Sequence, residues 1–199
     1  MSRSTIAFED IVAANAVLLV GTNLNETSPI TGLKVKEAVK KKQAELVTIE
    51  TLQPAIDKQS NITNLAAHHF TTHPNGFVHA IVALLKAVMD ANLVDQDVAQ
   101  QSAAYVTAIT TALQAQPWER LEAATGRTKA DWTAAAQALA RAPRLVVLAG
   151  PGVLRHAGGS GMIASLLDLL ILLGKLNKPG CGVGPLAEEN NDQGAVEMG

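Results

Sequence analysis

Two unbroken apolar runs, each closing on glycine, constrain this chain more than anything else in it. They are Ala16-Val17-Leu18-Leu19-Val20-Gly21 and the run that follows Arg144 in Arg144-Leu145-Val146-Val147-Leu148-Ala149-Gly150, the clearest strand of the second half. A strand with one wet face alternates apolar and polar residues. A run with no polar side chain is buried on both faces, as in a parallel sheet sandwiched between helices. After the first run, Pro29 opens a helical segment with apolar positions Ile30, Leu33, Val35, Ala38 and Val39. That segment ends in Lys40, Lys41 and Lys42, whose charges complement the carboxyl end of a helix dipole. Glu45-Leu46-Val47-Thr48-Ile49-Glu50 reads as the second strand. The opening is therefore strand, helix, strand, with a right-handed crossover expected.

The rest of the chain repeats this alternation less cleanly. Residues 67–72 predict a short strand and residues 77–89 a helix. Residues 95–141 are Ala-rich and helical, with breaks near Pro117 and Gly126, and carry no strand signal. Gly150-Pro151-Gly152 and Gly158-Gly159-Ser160-Gly161 form a loop before a helix that runs through Leu173. The Gly- and Pro-rich stretch from Pro179 to Pro185 has room for one short strand. The predicted class is α/β: a doubly wound, mainly parallel sheet with a helical excursion at about 95–141.

Composition narrows the functional classes. Of 199 residues, 48% are apolar, enough for a large core, and only 17% are charged, with a formal net charge of −2. This excludes a broad basic surface for nucleic acid. Aromatic residues make up 3%, too few for a base-stacking platform. The single cysteine, Cys181, excludes a disulfide framework, a thiolate zinc site and a self-contained iron–sulfur cluster, and suits a reducing, cytoplasmic compartment. No signal peptide is visible at the amino terminus. The longest apolar stretch, residues 163–173, is too short to span a bilayer and reads as a buried helix. The last residues, Gln193-Gly194-Ala195-Val196-Glu197-Met198-Gly199, show no closing helix or polar tail. The expectation is one domain over 1–199, cut from a longer subunit.

In doubly wound sheets, ligands sit beyond the carboxyl ends of the strands. Those ends are Gly21-Thr22-Asn23, Glu50-Thr51, the His73-Pro74-Asn75-Gly76 turn and Gly150-Pro151-Gly152. The two glycine loops read either as tight turns or as places where backbone N–H groups approach a phosphate, although Pro151 removes one donor. Glu50 reads either as an acceptor for ribose hydroxyls or as a solvated strand-end carboxylate. His68 and His69 are adjacent on a strand and point to opposite faces, so at most one pairs with His73, and no metal site is expected. Cys181 has neither a second thiol nor a base beside it and reads as a small core filler. No nucleophile–base pair and no catalytic residue is identified.

Several stretches taken in order resemble the molybdopterin oxidoreductase family. They are Glu9-Asp10-Ile11-Val12-Ala13-Ala14-Asn15-Ala16, the strand ending Gly21-Thr22-Asn23, Ser28-Pro29-Ile30, Leu172-Leu173-Gly174-Lys175-Leu176-Asn177-Lys178-Pro179-Gly180, and Asn190-Asn191-Asp192-Gln193-Gly194-Ala195-Val196-Glu197-Met198-Gly199. That family includes formate dehydrogenase catalytic subunits and the large iron–sulfur subunit of NADH-quinone oxidoreductase, respiratory complex I. The resemblance implies a Rossmann-like domain holding one half of a bis-guanine-dinucleotide molybdopterin. Gly21, Thr22 and Asn23 match the family's first loop, Gly150 and Gly152 its later glycine loop, and Asn190, Asn191, Gln193 and Gly194 its polar turn near the pterin. It also implies partners: the remainder of the same subunit, with iron–sulfur clusters upstream, and other subunits of a respiratory or formate-oxidising complex.

The sequence also departs from the family pattern. The family's second strand usually ends Asp-Pro-Arg, the Asp holding the guanosine ribose; here it ends Glu50-Thr51-Leu52. The usual Gly-Ser/Thr-Asp/Asn turn is replaced by His73-Pro74-Asn75-Gly76-Phe77, and Phe77 offers the guanine no polar group. The formate-orienting arginine position aligns with Ala187, followed by Glu188 and Glu189. These departures favour the complex I branch: a scaffold with a degraded pterin site, no bound cofactor and no activity of its own. The alternative is the cofactor-holding domain of an active molybdenum or tungsten formate dehydrogenase-like enzyme.

Overall fold

The computed structural model describes residues 4–50, 62–72, 76–186 and 198. Among these, five strands form one parallel sheet: β1 (Ala16–Val20), β2 (Glu45–Glu50), β3 (His68–Thr71), β4 (Leu145–Ala149) and β5 (Gly182–Pro185). Their spatial order is β3-β2-β1-β4-β5. The register places Val20 beside Ile49 on one flank and beside Ala149 on the other. Sheet order therefore reverses between β1 and β4, and such a reversal opens a crevice beyond the carboxyl ends of the two strands.

The two glycine-terminated runs are the two central strands, and every residue of both is buried. Alternate side chains go to opposite faces, as the pleat requires. Leu18, Val20, Val47, Ile49 and Val147 join the larger core, and Val17, Leu19, Leu46, Val146 and Leu148 the smaller one. The smaller face carries α1 (Phe8–Ala13), α2 (Leu24–Thr27) and α3 (Pro29–Lys42). Pro29 stands in the first turn of α3, where its missing N–H costs nothing, and Gln43 ends the helix in a left-handed conformation.

The larger face carries α4 (Phe77–Asp90), α5 (Gln96–Gln101), α6 (Ala103–Gln114), α7 (Trp118–Thr125), α8 (Lys129–Arg141), α9 (Pro151–Leu154) and α10 (Gly159–Leu172). The predicted excursion at 95–141 is thus α5 to α8. Its last helix does more than protrude: Trp132, Ala135, Ala136 and Leu139 of α8 lie in the main core under the sheet. Trp132 is fully buried, stands 4.3 Å from the Phe70 ring and donates its indole N–H to Thr125 Oγ1 at 3.4 Å. Thr128 and Asp131 start α8 with reciprocal bonds, Asp131 N–H to Thr128 Oγ1 and Thr128 N–H to Asp131 Oδ2. No helix among the described residues is long and apolar enough to cross a membrane. Residues 163–173, the longest apolar stretch, fall almost entirely within α10.

Candidate functional site

The two glycine loops meet at the switch point. Gly150 N–H donates to Val20 O at 2.8 Å, and Gly152 N–H donates to Gly21 O at 2.9 Å. Gly21 N–H donates sideways to Ile49 O at 2.9 Å, while Val153 and Leu154 N–H both return to Gly150 O at 3.0 Å. Gly21 has φ +68°, a conformation that suits glycine. Gly150 is extended, and glycine is needed there for closeness: a Cβ would stand 2.1 Å from Thr22 Cβ and 2.8 Å from Gly21 O. At Gly152 a Cβ would stand 2.9 Å from Gly21 O and 3.0 Å from Phe77 Cε2. The glycines let two loops pack backbone to backbone, and the amides of Gly21, Gly150 and Gly152 bond within the protein.

Thr22 and Asn23 lead from β1 into α2. Thr27 Oγ1 donates to Asn23 O at 3.0 Å. With that proton committed, the 2.7 Å contact between Thr22 and Thr27 has the Thr22 hydroxyl as donor. Asn23 Oδ1 accepts from Asn25 N–H at 3.2 Å, and Asn25 Oδ1 accepts from Lys36 Nζ at 3.0 Å.

Glu50 is the outlier of the site. It ends β2 beside Gly21, and its backbone O accepts from Thr72 N–H at 2.7 Å. Its side chain is not a solvated strand-end carboxylate: the residue is 5% exposed, and Oε1 is buried without a hydrogen-bond partner. Burial alone pushes its carboxyl up to about 7, because a charge there would be desolvated and uncompensated. Two other buried side-chain atoms among the described residues lack partners, Thr72 Oγ1 and His79 Nδ1. Thr72 follows β3 and His79 lies in the first turn of α4, so all three belong to segments at the carboxyl edge of the sheet. Such orphans are rare in native interiors, and each calls for an explanation. Sequence reasoning misses Thr72 and His79, since neither a threonine after a strand nor a histidine in a helix signals burial.

The remaining sequence candidates are placed as follows. His69 bonds Thr48 Oγ1 at 2.7 Å through Nδ1 and Thr71 Oγ1 at 3.3 Å through Nε2, and burial, with the nearby Arg127, lowers its pKa. His68 lies against the Phe70 ring. No group of three His, Cys, Asp or Glu able to hold a metal ion occurs among the described residues. Phe77 is buried and packs at the Gly152 corner. Cys181 is buried, its Sγ accepting from Leu145 N–H at 3.4 Å. Thr51, Leu52, His73, Pro74, Asn75, Ala187, Glu188, Glu189, Asn190, Asn191, Gln193 and Gly194 lie outside the described residues.

The fold is similar to that of acetylene hydratase from Pelobacter acetylenicus, with a TM-score of 0.73 and 14% identity over 90% of this chain and 23% of that one. This likeness concerns the fold alone. Among sequences, the chain is 26% identical to the F420-dependent formate dehydrogenase subunit alpha of Methanocaldococcus jannaschii, over 98% of its own length and 28% of the relative's. It is 28% identical to the NADPH-Fe(3+) oxidoreductase subunit alpha of Geobacter sulfurreducens, over 100% of its own length and 23% of the relative's. The chain thus spans less than a third of the curated relatives it matches. The sequence pattern of the molybdopterin oxidoreductases matches residues 2–199, and the chain belongs to that family.

Proposed function

We propose that this domain holds a guanine-nucleotide end of a molybdopterin cofactor within a formate dehydrogenase-like subunit. Glu50, Thr22 and Asn23 are the candidates for the nucleotide, and Asn190, Asn191, Gln193 and Gly194, outside the described residues, match the family's polar turn near the pterin. One observation carries the reading. Glu50 Oε1 is buried, partnerless and next to the switch-point crevice, where a pair of ribose hydroxyls would supply the donors it lacks. When bound, the cofactor supplies metal-centred redox chemistry; this chain's residues bind and orient its nucleotide. The electron-transfer partners, iron–sulfur clusters included, belong to other parts of the enzyme, in keeping with the α-subunit names of two relatives.

A second reading, the scaffold with a degraded site, is favoured by the Gly152 corner. Phe77 packs there, and the loop amides bond within the protein. Titration with guanosine diphosphate, followed by melting temperature, separates the two. Ligand at 100 times its dissociation constant adds about 2.7 kcal/mol of stability. A shift of that size, lost in Glu50→Ala, supports the nucleotide-holding reading. A folded protein whose melting is unchanged supports the scaffold.

A further inference from the structure

We propose that nucleotide capture in this crevice releases one proton, from Glu50. The inference rests on the nucleotide-holding reading and extends it to the control of that site. Without ligand, a buried carboxyl whose Oε1 lacks a donor is held mostly as the neutral acid below about pH 7, since its charged form would be desolvated and unpaired there. Two ligand hydroxyls donating to the carboxyl reverse that preference, because hydrogen bonds to the charged form favour ionisation. The carboxyl O–H bond breaks, the proton leaves to solvent, and the electron pair stays on the carboxylate that now accepts from the ligand. No redox step is involved.

The surroundings leave this role to Glu50. Its side chain lies on the sheet face of Leu46 and Thr48, the face that carries α2 and α3. The loop after β1 brings Gly21 and Thr22 to it, neither titratable. Among the described residues, the titratable or charged groups on the elements of that face are Glu9 and Asp10 on α1, Glu26 on α2, and Lys34, Lys36, Glu37, Lys40, Lys41 and Lys42 on α3; β3 beside β2 carries His68 and His69, and α4 across the sheet carries His79, Lys86 and Asp90. None of these shifts the Glu50 carboxyl, for which burial is the only cause. His69 is held by Thr48 and Thr71, so its ring nitrogens already have partners.

The test is calorimetric titration of this chain with guanosine diphosphate mannose, whose pyrophosphate diester does not titrate near neutrality. It is run from about pH 5.5 to 8.5 in buffers of differing ionisation heat. The expected affinity rises about tenfold per pH unit below about 7 and levels above it, with close to one proton released near pH 6. Glu50→Gln should bind more weakly and release none. Glu50→Asp, which keeps a carboxylate at shorter reach, should still release a proton, and it keeps the test alive if Glu50→Gln does not fold. Binding whose pH profile is the same in wild type and in a folded Glu50 variant lacking the carboxylate overturns the proton link and leaves the nucleotide reading standing. No binding at any pH overturns both.

Discussion

Thr48 and Glu50 stand two residues apart on one face of one strand, and the protein treats them in opposite ways. Thr48 is fully buried and its hydroxyl meets His69 Nδ1 at 2.7 Å. Glu50 is almost as deeply buried and its Oε1 has no hydrogen-bond partner. In the body of the sheet the cost of burying Thr48 is matched by a bond made inside the chain. At the carboxyl edge, three buried polar atoms among the described residues are left without one. The same contrast divides sterics from hydrogen bonding at the switch point. The glycine loops are closed on each other by backbone bonds of 2.8 and 2.9 Å, while the polar group beside them has an unpartnered oxygen. Under the proposed function, a nucleotide diol would supply the missing partner of Glu50.

The steric half breaks first. Gly150→Ala adds a methyl 2.1 Å from Thr22 Cβ in a backbone conformation that alanine otherwise tolerates. It should lower stability by about 3 kcal/mol or more, read from denaturant midpoints. An effect near zero would mean the two loops are not stapled together as described.

The polar half has the opposite sign. A carboxyl raised from 4.5 to about 7 in the folded state binds more protons there than in the unfolded chain. Its contribution to stability is fully present below pH 4.5 and is lost as pH rises to about 7. Glu50→Gln removes that loss. It should leave stability near pH 4.5 almost unchanged and raise it at pH 8 by about 3 kcal/mol. Equal stabilities of wild type and variant at pH 8 would show that the carboxylate has partners after all.

Thr48→Val tests the satisfied side of the comparison. It leaves His69 Nδ1 facing a methyl group and should cost about 1–3 kcal/mol at neutral pH. Thr72→Val, at an orphan, should cost distinctly less, because no bond is lost. Similar penalties for the two would erase the distinction between interior and edge. The smallest effect belongs far from the crevice. Thr128→Ala removes one arm of the α8 capping box and should cost about 1 kcal/mol without changing nucleotide affinity.

How much of the fold is legible in the sequence follows the same division. The central strands are readable because residues 16–20 and 145–149 form apolar runs that only a doubly covered sheet can bury. Helix α3 is readable from Pro29 at its start and three lysines at its end. Helix α1 is not, because six residues make less than two turns and show no periodicity; its start rests on Ala7 N–H donating to Asp10 Oδ2 at 2.8 Å. Nor does the composition of residues 95–141 show that Trp132 and Leu139 close the main core, a tertiary fact that local pattern does not carry.

In the candidate site, Gly21, Thr22, Glu50, Gly150 and Gly152 are legible as strand-end residues, and the fold brings them to one edge. What each does there is not. A glycine that lets a phosphate approach and a glycine that lets another loop approach look alike in sequence. A buried strand-end carboxylate and a solvated one differ only in what packs over them.

The most direct test of the central claim is the titration of the Glu50 carboxyl itself, followed by carbon NMR of labelled protein with and without saturating guanosine diphosphate. The account predicts a midpoint near 7 in the free protein, moving toward acid when the nucleotide is bound. A midpoint at the ordinary glutamate value of about 4.3 in the free protein, unmoved by nucleotide, would contradict it.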